Sequence, residues 1–291
     1  MKYISLFLVL ILPMLSTAQN ISGGVRIGLN LNNFSGPSEI DANGNELESF
    51  DNNTGFLVGG LLNVGINDLF GFRAEVHFSQ KGGRRLYEGQ ATTIFNPGTG
   101  NEVIVIGERN SVIRVNNSYI DIPVMAYIRP VPKLQIFGGV NVGFLISSNG
   151  FGQLDVSGIS SVGQIPIDVT TTLDHNYNDD EGFLMTDIGP STDFSADGSL
   201  VQIPNESGAY VLDFPTKREN AYNNIDFGLV GGVSYKLNGS LFVAVMYNLG
   251  LTDITTDEAD IERSTVNGNE QIFREDDDNN RSLQLSLGFQ F

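Results

Sequence analysis

The stretch Arg281-Ser-Leu-Gln-Leu-Ser-Leu-Gly-Phe-Gln-Phe291 decides the fold. Leu283, Leu285, Leu287, Phe289 and Phe291 share one face of an extended strand, and Ser282, Gln284, Ser286, Gly288 and Gln290 share the other. A strand with a bare apolar face needs a neighbour along its edge and a non-aqueous medium against its face. A closed barrel in a lipid bilayer supplies both, because every backbone polar group is then paired within the protein.

The same period of two recurs at 24–34, 55–66, 69–81, 118–129, 134–147, 224–236 and 240–251. Phe70, Phe72, Ala74, Val76 and Phe78, for example, oppose Arg73, Glu75, His77, Ser79 and Lys81. With the terminal strand this makes an even number of strands, each near the roughly 9–11 residues that cross a bilayer when tilted. Very short connections (Asn67-Asp68, Pro130 to Lys133, and Asn238-Gly239, a strong hairpin signal) alternate with long loops at 35–54, 82–117, 148–223 and 252–280. The expected fold is all-β: a transmembrane, antiparallel, up-and-down barrel of eight strands with short periplasmic turns and long extracellular loops. Ten strands is the alternative, because 163–173 and 208–214 also alternate within a loop too long to be structureless. Residues 103–106 and 112–115 read as a short hairpin above the membrane.

Alternation alone does not say which face meets lipid. The polar face carries Gly28, Gly59, Gly65, Gly71, Gly139, Gly143, Gly228, Gly232 and Gly288 with Asn and Ser between them, which suits the cramped interior of a narrow barrel. The other face is leucine, β-branched or aromatic and uncharged, so it is expected to face lipid. Phe70, Phe72, Tyr235, Phe289 and Phe291 would form an aromatic girdle at the periplasmic interface. Pro123 interrupts a strand that has no free edge and reads as a bulge.

Residues 1–18 read as a secretory signal, with Lys2, an apolar run at 4–15 and the small residues Ser16-Thr17-Ala18, leaving 19–291 as the barrel domain. The apolar run is shorter than the roughly 20 residues of a spanning helix and contains Pro13. The chain has 16 basic and 34 acidic residues, a net charge of -18, which argues against nucleic acid and anionic membrane surfaces as partners. The absence of cysteine excludes a disulfide scaffold, a thiol nucleophile and a thiolate metal site, and no cofactor is expected.

Several segments together resemble the PorT-like, or porin-family, outer membrane β-barrels of Bacteroidota-type bacteria. They are Phe72-Arg-Ala-Glu-Val-His-Phe-Ser-Gln-Lys-Gly82, Tyr119-Ile-Asp-Ile-Pro-Val124, Phe137-Gly-Gly-Val-Asn-Val-Gly143, Asp226-Phe-Gly-Leu-Val-Gly-Gly232, Tyr247-Asn-Leu-Gly-Leu-Thr-Asp253 and Gly288-Phe-Gln-Phe291. The resemblance covers the barrel from about residue 23 onward and leaves the loops unmatched. It implies a location in the outer membrane, Pro123 as a usual feature, and Phe291 as the signal read by the barrel-assembly machinery. It also implies that an accessory role in an envelope complex, such as type IX secretion, is open to this chain.

The polar face carries Arg26, Arg73, Glu75, His77, Lys81, Asp121, Arg129, Asp226 and Lys236, expected to form a paired charge network that fills the lumen, since buried charges require partners. Neither His77 nor His175 has a nucleophile or third partner in its pattern, so no catalytic residue is assigned and the chain is not expected to be an enzyme. The long loops carry most of the acidic residues. Asp179, Asp180 and Glu181, and Asp276, Asp277 and Asp278, are the candidate cation-binding runs, because clustered carboxylates are hard oxygen ligands, though no defined metal site is expected. The sequence thus suggests a small barrel with a filled lumen and a structural or binding role through acidic external loops. A narrow cation-preferring pore and an accessory envelope subunit are the alternatives. Lipid and lipopolysaccharide are the expected surroundings.

Overall fold

A computed structural model describes residues 20–95, 103–161, 163–178, 191–196, 199–207, 221–256, 260–267, 270–274 and 276–291. The signal-like residues 1–18, the run 208–214 and the acidic run Asp179, Asp180 and Glu181 lie outside them.

The strands in chain order are β1 (Asn20–Ser35), β2 (Glu48–Asp51), β3 (Asn53–Gly65), β4 (Phe70–Phe95), β5 (Val103–Val131), β6 (Leu134–Ser160), β7 (Pro166–Asn176), β8 (Ser191–Ala196), β9 (Ser199–Pro204), β10 (Glu206–Ser207), β11 (Ile225–Lys236), β12 (Leu241–Gly250), β13 (Ile261–Asn267), β14 (Glu270–Phe273) and β15 (Asn279–Gln290). Eight of them, β1, β3, β4, β5, β6, β11, β12 and β15, pair antiparallel in succession. The ring closes where Leu29 of β1 stands opposite Leu285 of β15. Eight is therefore the barrel count; the tenth-strand alternative fails because β7 adds to the extension of β6 and not to the ring.

The terminal-strand pattern has its predicted meaning. Leu285, Phe72 and Ile122 are 47, 47 and 36% exposed on the outside of the cylinder, while Ser282, Gln284 and Ser286 are buried inside it. The aromatic residues Phe70, Phe72, Tyr235, Phe289 and Phe291 are all exposed near the short turns. Inward glycines allow close approach: a Cβ on Gly59 would sit 2.2 Å from the Cβ of His77.

Two local expectations were wrong. Pro123 is not a bulge; it stands opposite Asn141 in continuous register with β6. On its other side the β4 ladder is interrupted between Ala74–Val124 and His77–Asp121 without any shift of register. The register with β6 shifts instead between Ser118 and Tyr119, opposite the extra residue Ile146 of β6, and between Ile128 and Val131 at the short turn. Residues 103–106 and 112–115 do not fold back on each other either. They are successive parts of β5, which pairs with the continuation of β4 through residues 82–95.

That continuation is the main architectural addition. β4, β5 and β6 run past the apolar belt as one sheet, widened by β7 along β6 and by the short β2 along β4. Its inner face has a core of its own, in which Phe95, Val105, Leu154, Val156, Val169 and Ile203 are buried. Above the belt the apolar side has switched: Ile120, Ile122 and Val124 of β5 point outward, whereas Val103, Val105 and Val115 of the same strand are buried inward.

Candidate functional site: the lumen and its two mouths

β4 supplies the spine of the lumen. Arg73, Glu75, His77 and Lys81 lie at every second or fourth position of one strand, so the period of two points all four inward. Each meets a partner from another strand or from its own. Arg26 of β1 lies 2.9 Å from Glu75, and Arg73 lies 2.6 Å from the same carboxylate. His77 stands between two carboxylates, 3.4 Å from Glu75 and 3.6 Å from Asp121. Lys81 donates to Asp121 at 2.8 Å and to Asp226 of β11 at 2.9 Å. All of these side chains are almost fully withdrawn from solvent. Three cations (Arg26, Arg73, Lys81) thus face three carboxylates (Glu75, Asp121, Asp226) in a single chain of contacts bridged by His77.

Further polar side chains complete the arrangement. Asn141 donates to Asp121 at 3.0 Å, Asn280 to Asp226 at 3.0 Å, and Arg26 to Gln284 at 3.1 Å. Lys81 also rests over the ring of Tyr119, 4.6 Å from its centroid. None of Asn141, Asn280, Gln284 or Tyr119 was singled out from the sequence, although the alternation places each on the inward face. Their charge-free chemistry hid them.

Arg129 and Lys236 do not join this chain. Both are half-buried at the short-turn mouth, and Arg129 lies over the ring of Tyr127 at 4.6 Å. Large apolar side chains close the lumen between this mouth and the charges: Met125, Tyr127, Phe137, Val230 and Met246 form one cluster and Leu61, Phe242 and Ala244 another. The lumen is therefore filled by more than the glycines and ions expected of it.

At the opposite mouth, Phe34, Val115, Tyr222, Ile254 and Ile261 form an apolar plug. Above it the β13–β14 hairpin is fastened by charge. Glu39 accepts hydrogen bonds from the backbone amides of Arg263 (3.0 Å) and Ser264 (2.7 Å). Glu48 is paired with Arg85 and lies 3.4 Å from Arg274, which also pairs with Asp276. Burial opposes ionisation of Glu48, but Arg85, Arg263 and Arg274 outweigh it and hold its carboxyl at about 2. Burial, reinforced by Asp276, instead raises Asp260 to about 8, and burial raises Asp278 to about 6 against the pull of Arg85.

The acidic run Asp276, Asp277 and Asp278 is thus not gathered as a ligand set. Asp276 faces Arg274, Asp277 is exposed, and Asp278 is buried with its backbone amide donating to Asp253 at 3.0 Å. Among the described residues no group of three or more His, Asp or Glu side chains has a geometry that could hold a metal ion. His175 lies 2.9 Å from the hydroxyl of Tyr177. The backbone amide of Phe291 donates to Gly23 at 2.9 Å, which leaves its ring on the outside of the seam.

The family profile described as outer membrane protein beta-barrel domain matches residues 17–256, most of the chain. The chain belongs to that outer membrane β-barrel family. It is accordingly a protein of the outer membrane, and the exposed apolar belt is its lipid-facing surface. Among curated proteins, none matches this chain. Solved structures similar to this outer membrane barrel include Ail, the attachment invasion locus protein of Yersinia pestis, at 9% identity and a TM-score of 0.37, covering 94% of this chain and 100% of that one. Neisserial surface protein A shares 12% identity at a TM-score of 0.32, covering 94% and 98%. OprG from Pseudomonas aeruginosa shares 11% at 0.33, covering 93% and 96%. These likenesses are too distant to bear on function.

Proposed function

We propose that this outer membrane barrel is a non-conducting anchor that presents a β-blade and acidic external loops outside the cell for binding. The observation that carries the reading is the continuation of β4, β5 and β6 beyond the apolar belt as a sheet with its own buried core. Charge-balanced contacts and apolar plugs at both ends support a closed lumen. The same pairing weighs against a cation-preferring pore, because Glu75, Asp121 and Asp226 are already neutralised by fixed cations. The reading involves no catalysis, and both nitrogens of His77 face carboxylates instead of a nucleophile.

A second reading, an accessory subunit of an envelope complex, is supported by the motif resemblance to PorT-like barrels. It is also favoured by Ile106, Phe151 and Ile159, which are exposed on the blade well away from the apolar belt. Recordings of purified protein in planar bilayers test the closed lumen: no steady conductance is expected, and steady conductance overturns it. Since the chain contains no cysteine, a Phe151→Cys variant carrying a photo-crosslinker tests the blade on intact cells. A discrete adduct with an envelope protein or extracellular ligand is expected; lipid-only or absent adducts overturn the binding role.

A further inference from the structure

The external loops are acidic, but the short-turn mouth is the reverse. One narrow recess, with about 10 Å³ of accessible space, is lined there by Arg73, Arg129, Lys133 and Lys236 and by no carboxylate side chain. Glu75, which lies behind Arg73, is shared with Arg26 and His77. Two of the lining side chains each keep a deeply buried donor atom without an acceptor, beside the buried Asn63, whose Oδ1 is the one unpartnered acceptor among the described lining atoms. Arg73 is 2% exposed, and its Nη2 has no hydrogen-bond partner. Gln135 is 8% exposed; its Oε1 accepts from Ser234 at 3.4 Å, which leaves Nε2 unpartnered. The rings of Phe137 and Phe242 hold the Arg73 guanidinium at 5.0 and 5.5 Å, so it cannot fold away to find another partner.

Buried donors are ordinarily satisfied, and like charges are not ordinarily gathered around a recess without an anion to share. A planar guanidinium with amide and ammonium donors around it matches the oxygens of a phosphate group. The freely accessible part of the recess is about the size of a single water, so it suits a slim oxyanion tip and not a bulky molecule. We propose that the periplasmic mouth of the barrel is a phosphate-binding site, with Arg73 and Gln135 as its floor and Arg129, Lys133 and Lys236 as its rim. The phosphate could be free or belong to the headgroup of an anionic inner-leaflet phospholipid bent over the rim; the chemistry is shared and the experiment separates the two.

The test follows the side-chain amide resonance of Gln135 in the full barrel by NMR. In one arm, protein in neutral detergent is titrated with inorganic phosphate. In the other, protein in phosphatidylcholine nanodiscs is compared with protein in nanodiscs containing phosphatidylglycerol. A saturable shift is expected in at least one arm; the detergent arm assigns free phosphate and the nanodisc arm assigns lipid. The shift should need roughly tenfold more phosphate, or vanish from the lipid comparison, in Arg129→Gln/Lys236→Gln, whose rim positions are half-buried. Lys133→Gln/Lys236→Gln serves the same purpose should the first pair fail to fold, since Lys133 is exposed in its turn. No saturable shift in either arm, or an unchanged response in the folded rim variants, overturns the site.

Discussion

Arg26 and Glu75 meet at 2.9 Å across the lumen, from strands that are not neighbours, with both side chains fully withdrawn from solvent. The pair ties β1 to β4 over the intervening β3, so it reports on the packed interior and not on any one strand pairing. Replacing Glu75 by Gln leaves Arg26 and Arg73 buried without their counter-charge. The expected loss is about 3–5 kcal/mol, measured as the urea midpoint of refolded protein in lipid vesicles. An unchanged midpoint would show that the lumen admits enough water to solvate the two guanidinium groups.

The outer face has a depth dependence that can be read from one strand. Leu285 lies in the middle of the exposed row of β15, while Phe289 lies at its short-turn end. Leu285→Arg should cost roughly 2–4 kcal/mol and Phe289→Arg roughly 0–1 kcal/mol in the same unfolding assay, because a charge near the interface reaches water. Equal costs would contradict the placement of the belt.

The fastening of the β13–β14 hairpin should depend on pH. Asp260 and Asp278 are raised to about 8 and about 6, so the docked hairpin binds more protons than the undocked one. Docking is then strongest below their ordinary value of 3.8, weakens as pH rises from there to about 6 and on to about 8, and changes no further above that. Glu48 works in the opposite sense: held at about 2, it supports docking above its ordinary value near 4.5 and loses that support as pH falls towards 2. Protection of the β13–β14 amides, taken as exchange relative to the intrinsic rate at each pH, should therefore be greatest near pH 4. Asp260→Asn should remove the upper part of the rise; persistence of that step in the variant would assign it elsewhere.

The contact of Gly59 with His77 sets a steric limit. A side chain at Gly59 would meet the backbone oxygen of Val76 at 2.3 Å as well as the histidine, and the backbone has nowhere to move. Gly59→Val is expected to destabilise by about 1–3 kcal/mol or more and to lower the fraction of heat-modifiable, folded barrel on gels. Gly60→Val, which has open space outside the barrel, is the control and should fold normally.

The barrel was legible in the sequence because lipid imposes one apolar side on every spanning strand, and Leu283 to Phe291 display it without interruption. The lumen charges were legible for the complementary reason: Arg73, Glu75, His77 and Lys81 sit on the other side of the same alternation. The blade was not legible, and the cause lies in the switch of sides along β5 and β6. A strand whose apolar residues sit at even positions from Ile128 to Ile120, and whose buried apolar residues sit at odd positions from Val115 to Val103 with Val112 and Ile106 between them on the other side, reads as two unrelated fragments. The bulge at Ile146 of β6, opposite Ser118 and Tyr119, which accompanies the switch, leaves no mark in residue type. The clasp of Glu39, Glu48, Arg85 and Arg274 was hidden differently. It joins residues more than two hundred positions apart, and nothing local in an acidic loop marks which carboxylate will find an arginine.

That switch of sides makes β5 and β6 a depth gauge. Sliding either strand by one residue would turn its lower half greasy-side-in and its upper half greasy-side-out at once, so both media would penalise the same error. The waterline is thereby written into the pairing of two strands, and the height at which the cylinder floats is fixed by the protein's own register and not left to the thickness of the surrounding lipid.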